Sequence, residues 1–167
     1  DGRAAHAWET VERAGALQET LAGLEAERVR LTALSESLQP WLEYDVPLSD
    51  CETAKTRTWL GSIPLAVPQE TVNAALTDAG CAVEAVDTDE KFSYWAVTFL
   101  KEGEAETGAA LATLGFVRQD FESETETALA ASRRTEERLA ALENKTVQAD
   151  EALHDCAEAL DEIEILH

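Results

Sequence analysis

The sequence predicts an α+β protein in which a long antiparallel two-helix coiled coil carries a compact βαββαβ lobe at its tip. Leucines recur at heptad spacing near both ends of the chain, whereas all four prolines lie between positions 40 and 68. Short apolar runs between positions 56 and 121 alternate with two helical patterns. We therefore divide the chain into an outgoing helix, residues 1–43, a globular lobe, residues 44–122, and a returning helix, residues 123–167.

The chain is strongly acidic, with 34 aspartates and glutamates against 13 lysines and arginines and a formal net charge of −21. Such a field repels phosphate backbones and anionic membrane surfaces, so we expect no nucleic-acid partner. The excess of glutamate has two interpretations. It is either an acidic docking surface or the ordinary composition of long exposed helices, because glutamate favours helices and keeps them in solution.

The three cysteines, Cys51, Cys81 and Cys156, are far apart and form no Cys-x-x-Cys or Cys/His metal-binding pattern. Neither a zinc site nor a disulfide framework is indicated, and no cofactor is expected. An odd number of cysteines suits a reducing compartment. No apolar run reaches the ~18 residues that cross a bilayer, so we expect no direct membrane insertion by this segment. The absence of methionine, even at position 1, suggests a piece of a longer polypeptide.

Residues 4–42 contain no proline before Pro40 and are rich in alanine, leucine, glutamate and arginine, which favour helices. An isolated helix of this composition would be marginally stable, so a partner is expected to cover its apolar stripe. Pro40 and Pro47 predict that the helix ends between Leu38 and Tyr44. The heptad stripe comprises Leu17, Leu21, Leu24, Leu31, Leu38 and Leu42, with Arg28 and Ser35 in the remaining seam positions.

An apolar neck follows the first helix and comprises Trp41, Leu42, Tyr44, Val46 and Leu48. We interpret these side chains as the packing that joins the helix to the lobe. The alternative is an aromatic pocket that binds a ligand. Ser49 and Glu52 then have the spacing of a capping box, which predicts a short helical turn over residues 48–55.

The lobe alternates strand and helix signals. Gly80 and Gly115 are expected to stop its two helices. The order of elements is βαββαβ, the ferredoxin-like motif, in which two helices cover one face of a four-stranded antiparallel sheet. The third strand is expected near the sheet centre. Strands are predicted over residues 56–63, 81–86, 92–100 and 116–121, and helices over residues 68–79 and 102–114.

The strand predicted over residues 92–100 has two apolar faces. Trp95, Val97 and Phe99 alternate on the face assigned to the helices. The opposite face is too apolar to be left uncovered, so either the neck or another protein is expected to pack on it. That face carries Phe92, Tyr94, Ala96 and Thr98.

The returning helix is predicted by the capping-box spacing of Ser123 and Glu126 and by the absence of proline and glycine from there to His167. Its stripe is expected to pack on that of the first helix within one chain, so we expect a monomer. Cys156 is interpreted as a small buried apolar residue rather than a redox thiol. The heptad frame comprises Ala128, Leu139, Leu142, Ala149, Leu153, Cys156, Leu160 and Ile163, with Ser132, Thr135 and Thr146 as polar members.

Three segments carry a family resemblance. They are the neck at residues 38–48 (Leu-Gln-Pro-Trp-Leu-Glu-Tyr-Asp-Val-Pro-Leu), the strand end Gly61-Ser62-Ile63-Pro64, and the turn Leu114-Gly115-Phe116. In this order, over essentially the whole chain, they resemble the cytosolic N-terminal region of subunit I, also called subunit a, of archaeal and bacterial A/V-type rotary ATPases.

This resemblance implies a structural stator arm of a proton- or sodium-translocating V-type ATPase. It places the chain on the cytoplasmic side of the membrane, as the soluble part of an integral membrane subunit. The lobe would dock a peripheral stalk, a heterodimer of E/G-type subunits, and other ATPase subunits would be further partners. No ion-translocating residue is carried over, because the membrane half of the family is not part of this chain.

Two groups of candidate residues follow. Partner binding is assigned to acidic and polar positions of the lobe: Asp87, Asp89, Glu90, Tyr94, Glu102, Glu104 and Glu106. The structural neck and seam are assigned to Pro40, Trp41, Leu42, Pro47, Leu48, Gly61, Pro64, Leu139, Leu142, Leu153 and Leu160.

No catalytic residue is predicted. The sequence contains no Gly-x-x-x-x-Gly-Lys, Gly-x-Gly-x-x-Gly or Gly-x-Ser-x-Gly motif. His6, His154 and His167 lie in or beside the long helices and are interpreted as solvated. Two alternatives to a stator arm stay open: a small-ligand-sensing module with a ferredoxin-like head, and a generic coiled-coil scaffold that pairs between chains.

Overall fold

The computed structural model describes residues 2–121 and 123–165. These residues pack as two compact units. One unit combines the chain up to Glu36 with the chain from Arg134 onward, and the other is Ser37–Arg133. The elements are α1 (Gly2–Leu38), a 3-10 turn (Gln39–Trp41), β1 (Thr56–Pro64), α2 (Gln69–Asp78), β2 (Ala82–Thr88), β3 (Phe92–Leu100), a 3-10 turn (Lys101–Gly103), α3 (Glu104–Leu114), β4 (Val117–Gln119) and α4 (Ala128–Ile165).

In the first unit, α1 and α4 form an antiparallel helical pair. Leu31 of α1 is 1% exposed and lines one groove together with Arg138 and Leu142 of α4. Ala149 and Cys156 are buried further along α4. Each helix therefore buries the stripe that an isolated helix would expose to water.

The heptad frame of α4 faces inward along its described length. All of its positions from Ala128 to Ile163 are buried or half-buried, and the four assigned leucines, Leu139, Leu142, Leu153 and Leu160, are half-buried. The frame of α1 differs at one position. Arg28, predicted in the seam, is exposed and pairs with Glu25 one turn earlier.

Glu27 takes the inward place that was predicted for Arg28, since α1 steps from Leu24 to Glu27 and then to Leu31. The Glu27 carboxylate pairs with Arg30, and this hydrogen bond, assisted by the charges of Arg30 and Arg138, lowers its pKa. A carboxylate can occupy this position because its side chain stays 40% exposed and because Arg30 of the same helix and Arg138 of α4 favour its charged form.

The lobe contains one antiparallel sheet with the strand order β2-β3-β1-β4. β3 pairs with β1 from Thr56↔Leu100 to Pro64↔Phe92, and β4 pairs with the other edge of β1. The predicted βαββαβ order and the central position of the third strand are both confirmed.

The hydrophobic core of the lobe lies between one sheet face and the helices α2 and α3. Trp95, Val97 and Phe99 belong to it, as predicted. The Trp95 indole N–H donates to Ser93 Oγ at 2.8 Å, so this buried ring leaves no polar group unpaired. The other buried members of the core are Ile63, Val72, Leu76, Cys81, Leu111 and Leu114.

Both lobe helices end at a glycine in the left-handed conformation. Gly80 has φ +84° and Gly115 has φ +78°. After each of them the chain turns back, because the N–H of Cys81 donates to Leu76 O and that of Phe116 to Leu111 O. The helix stops predicted from these two glycines are confirmed.

The helical turn predicted over residues 48–55 is wrong. Glu52 forms an isolated β-bridge with Arg57, and the Thr58 N–H donates to Cys51 O at 2.8 Å. A capping box would direct the Glu52 carboxylate back to Ser49. That carboxylate instead pairs with Lys101 at 2.7 Å, because strand pairing brings a cation beside it.

Two boundaries near the end of the lobe also differ from prediction. The last strand is limited to Val117–Gln119 rather than 116–121, because Phe116 packs into the core and Phe121 packs on Trp41. The cap of α4 is Thr127 rather than Ser123. The Thr127 hydroxyl accepts the Ala130 N–H at 3.3 Å, which satisfies a donor in the first helical turn.

Gly61 is required by close packing at the centre of β1. A Cβ atom at this position would overlap the Phe116 ring and the Val117 carbonyl oxygen. We expect Gly61→Ala to lower the free energy of unfolding by about 1–3 kcal/mol, since neither neighbour can move without disturbing β4. Thermal and urea unfolding followed by circular dichroism would measure the change.

Gly108→Ala is the matched control. A Cβ at Gly108 meets no atom within 4 Å, and this position lies inside α3. The control variant should melt at the parent temperature or above it, because alanine favours a helix over glycine by about 1 kcal/mol. A Gly61→Ala protein that melts like the parent would contradict the packing described for β1.

Candidate docking site on the lobe

Trp41 covers the sheet face that the helices leave open. It is fully buried, and its ring makes edge-on contacts with Tyr44, Tyr94 and Phe121 at centroid distances of 6.4, 5.8 and 6.4 Å. Its indole N–H donates to Gln119 Oε1 at 3.2 Å. This face was expected to be covered either by the neck or by another protein, and in the structure the neck covers it. The neck aromatics are thus packing residues rather than the walls of a ligand pocket.

The remaining neck residues hold this cover in place. Leu48 is buried, and its N–H donates to Glu126 O at 2.9 Å. Pro47 is exposed and its carbonyl accepts the Asp50 N–H, while Pro40 and Leu42 are half-buried. The neck is therefore tied by backbone hydrogen bonds as well as by aromatic contacts.

Pro64, another assigned neck residue, lies at the end of β1. Its ring is the nearest neighbour of Gly115, at 3.2 Å from where a Cβ would stand. Pro64 at the end of β1 and Gly115 at the end of α3 therefore lie against each other. Both belong to the segments that carry the family resemblance.

The acidic residues assigned to partner binding lie in two places. Asp87 is on β2, Asp89 and Glu90 are in the following turn, and Tyr94 is on β3. The second group, Glu102, Glu104 and Glu106, lies at the start of α3. The nine residues of β3 separate the groups by roughly 27 Å. They do not form one surface.

Asp89 and Tyr94 have a structural role in the turn between β2 and β3. The carboxylate of Asp89 accepts the Tyr94 hydroxyl and the N–H groups of Lys91 and Phe92, and these bonds hold its pKa below the usual range. Burial and then the hydrogen bond to Asp89 raise the pKa of Tyr94 to about 12. Glu90 is exposed and makes no such contact, so of these three residues it is the one available to a partner.

The second acidic group adjoins a charged cleft at the opposite end of β3. Arg57 lies between Glu104, at 2.7 Å, and Glu52, at 3.4 Å. The pKa of Arg57 is raised mainly by the hydrogen bond that Arg57 donates to the Glu104 carboxylate. The pKa of Glu52 is lowered mainly by the hydrogen bond that it accepts from Lys101. The cleft has a volume of about 230 Å³ and is lined by Cys51, Glu52, Arg57, Thr58, Trp59, Glu104 and Arg118.

Sequence reasoning missed the cations that line this cleft, Arg57 and Arg118, and Lys101, which pairs with Glu52 at its edge. Arg57, Lys101 and Arg118 are isolated basic residues in an acidic chain and form no motif. One sequence feature could have indicated part of the cleft. Arg57 and Trp59 are two residues apart on a predicted strand, so their side chains lie on the same face of the sheet. The approach of Lys101 and Arg118 depends on the register of β3 and β4 against β1, which no local pattern predicts.

Within residues 2–121 and 123–165, no three or more histidine, cysteine or acidic side chains are grouped so as to hold a metal ion. Across the same residues, none of the helices combines the length and apolarity needed to cross a bilayer.

The sequence matches no protein-family model, and it has no match among curated proteins. Among solved structures, the chain is similar to a crystal structure described as the cytoplasmic N-terminal domain of subunit I, homolog of subunit a, of V-ATPase. The TM-score is 0.61 and the sequence identity is 19% over 90% of this chain. The two proteins share a fold. The α+β class and the expected resemblance are thus confirmed at the level of structure, and this chain spans about half, 51%, of the length of that domain.

The Tyr94–Asp89 contact predicts an unusual tyrosine titration. The protein has two tyrosines, so in a Tyr44→Phe background the absorbance at 295 nm reports Tyr94 alone. We expect half-ionisation near pH 12, against about 10 for a free tyrosine. Because the folded pKa is the higher one, the stability that this group contributes is complete below about pH 10 and is lost as the pH rises towards 12.

Asp89→Asn should shift the Tyr94 titration towards lower pH, because the carboxylate that disfavours the phenolate is gone. Glu90→Gln is the control, since it removes the same charge from the same turn without touching the hydroxyl. Ionisation of Tyr94 near pH 10 in the parent, or equal shifts in both variants, would contradict the assigned contact.

Proposed function

We propose that this chain is a structural stator arm of a V-type rotary ATPase, part of the cytosolic domain of its subunit I. The fold shared with the cytoplasmic N-terminal domain of a V-ATPase subunit I, over 90% of this chain, is the observation that carries the proposal. The neck, strand-end and turn segments resemble the same family. In this role the chain is a non-catalytic part of a complex that moves protons or sodium ions, and it lies on the cytoplasmic side of the membrane.

The helical pair suits a stator because a stator has to resist torque. α1 and α4 contain 37 and 38 residues, so each is roughly 55 Å long. Leu31 of α1 and Ala149 and Cys156 of α4 are buried, and Leu31 lines a groove together with Arg138 and Leu142 of α4. Bending such a pair would expose apolar surface, which opposes deformation.

The lobe suits a docking element because both faces of its sheet are already used. The helices cover one face and the neck covers the other, which leaves the strand ends, the sheet edges and the outer helix surfaces for a partner. The ligand-sensing alternative loses its main support here, since Trp41 occupies the face on which a small ligand would lie. We therefore propose that the lobe binds the peripheral-stalk heterodimer of E/G-type subunits.

The proposal predicts saturable one-to-one binding when this chain is titrated with the purified peripheral-stalk heterodimer from the same source in a calorimeter. The affinity should fall with rising salt, because a chain of net charge −21 attracts a basic partner surface through screened charges. The double variant Glu102→Gln, Glu106→Gln should bind more weakly, since both carboxylates lie on the lobe beside the charged cleft.

The matched control is Glu136→Gln with Glu137→Gln, which removes two charges from an exposed part of α4 outside the lobe. It should bind like the parent. A folded, monomeric parent that does not bind the heterodimer would contradict the stator proposal, and a dimeric parent would favour a scaffold that pairs between chains.

A further inference from the structure

We propose that an exposed face of α1 binds a basic amphipathic helix of another protein. The inference goes beyond the proposed function and does not depend on it, because this face belongs to the helical unit and not to the lobe. We call the face the outer stripe. It follows the first half of α1 and comprises Ala4, Trp8, Val11, Gly15, Gln18 and Ala22.

The outer stripe is distinct from the seam that packs on α4. Its six positions are separated by steps of four and three residues, so they share one side of a helix. This side is rotated by roughly 100° from the seam that contains Leu17 and Leu21. All six residues of the outer stripe are exposed, whereas Leu17 and Leu21 are half-buried. α1 therefore has a second face of heptad spacing, which α4 does not cover.

No charged residue interrupts the outer stripe. α1 contains ten charged residues, and none of them occupies any of the six positions. The two large side chains, Trp8 and Val11, are 65% and 48% exposed. The solvent-facing side of a helix usually carries the charges. An uncharged side with an exposed tryptophan is instead typical of a surface that a partner covers.

The shape of the outer stripe suits a helix. It extends over 19 residues of one helix, from Ala4 to Ala22, and is therefore straight and roughly 28 Å long. A Cβ atom at Gly15 would meet no atom within 4 Å, so the surface there is open. Small residues at Gly15 and Ala22 let a second helix approach closely, and its side chains at heptad spacing can pack beside Trp8 and Val11.

The charges around the outer stripe determine the sign of its partner. Leu31 of α1 shares a groove with Leu142 of α4, so the antiparallel pairing places residues 146–165 beside the first half of α1. Residues 2–23 and 146–165 together contain ten acidic residues and only two basic ones. Such a surface attracts a helix that carries lysine or arginine beside its apolar side chains.

The same charges disfavour two other occupants of an apolar helix face. If two copies of this chain paired through their outer stripes, two acidic surfaces would face each other and repel. An anionic membrane surface would be repelled for the same reason. The partner is thus a basic protein helix, with Trp8 and Val11 as the apolar centre of the contact and the acidic residues at its rim.

The test is calorimetric binding, at physiological salt, of a synthetic peptide of about four heptads with the repeat Leu-Ala-Lys-Leu-Lys-Ala-Lys. A second peptide has glutamate in place of every lysine. We expect saturable one-to-one binding of the lysine peptide and no binding of the glutamate peptide. The double variant Trp8→Lys, Val11→Lys should weaken binding at least about tenfold, because it removes the apolar centre and places charges in the stripe.

The matched control is Ala5→Lys with Ala16→Lys, which changes the net charge equally at exposed positions of α1 outside the outer stripe. Its affinity should stay within about threefold of the parent value, because salt screens the added charges. Circular dichroism shows that each variant keeps its helices. Equal weakening by the two double variants, or a parent that does not bind the lysine peptide, overturns the inference.

Three further results would overturn the choice of partner. Equal binding of the glutamate peptide contradicts a basic helix. A dimeric parent with a monomeric Trp8→Lys, Val11→Lys variant assigns the outer stripe to a second copy of this chain. Binding of the parent, but not of this variant, to phosphatidylserine vesicles assigns it to a membrane surface.

Discussion

The packing of one indole ring on the second face of the sheet determines which surfaces of the lobe are left for function. A two-layer βαββαβ lobe has one covered and one bare sheet face, and an apolar bare face in water is unstable. Here Trp41 covers it from within the chain, bonded to Gln119 and in edge contact with Tyr94. The neck that connects helix and lobe is therefore also part of the lobe interior.

Both faces of the lobe sheet are used for packing, so the residues that stabilise the lobe are not those exposed at its edges and ends. Trp95, Val97 and Phe99 stabilise one face and Trp41 the other, so neither face has to serve a partner. The ends of the strands stay exposed, and their charges differ. The turn after β2 carries exposed acidic residues, whereas the opposite end has four cations and three carboxylates around two hollows. A lobe of this kind can attract a charged protein through its overall charge and orient it through a few fixed contacts.

Local periodicity explains what the sequence could predict. The heptads of α4, the βαββαβ order, and the stops at Gly80 and Gly115 depend on residues close in sequence, and the structure confirms them. The predictions failed where a residue distant in sequence determines the contact. Glu52 pairs with Lys101 instead of capping a helix, and Arg138 of α4 favours the charged form of Glu27. The charged cleft was not predictable for the same reason, because the register of β4 against β1 brings Arg118 to it. The stalk-binding role of the acidic residues stays a prediction.

The measurement that tests this account most directly compares Trp41→Ala with Trp8→Ala in urea unfolding and in binding of a dye that fluoresces on apolar surfaces. Trp41 is fully buried, whereas Trp8 is 65% exposed on α1. We expect Trp41→Ala to lower the free energy of unfolding by about 3–5 kcal/mol and to bind the dye. Trp8→Ala should change stability by less than about 0.5 kcal/mol. Equal, small effects of the two substitutions would contradict the claim that the neck seals the sheet.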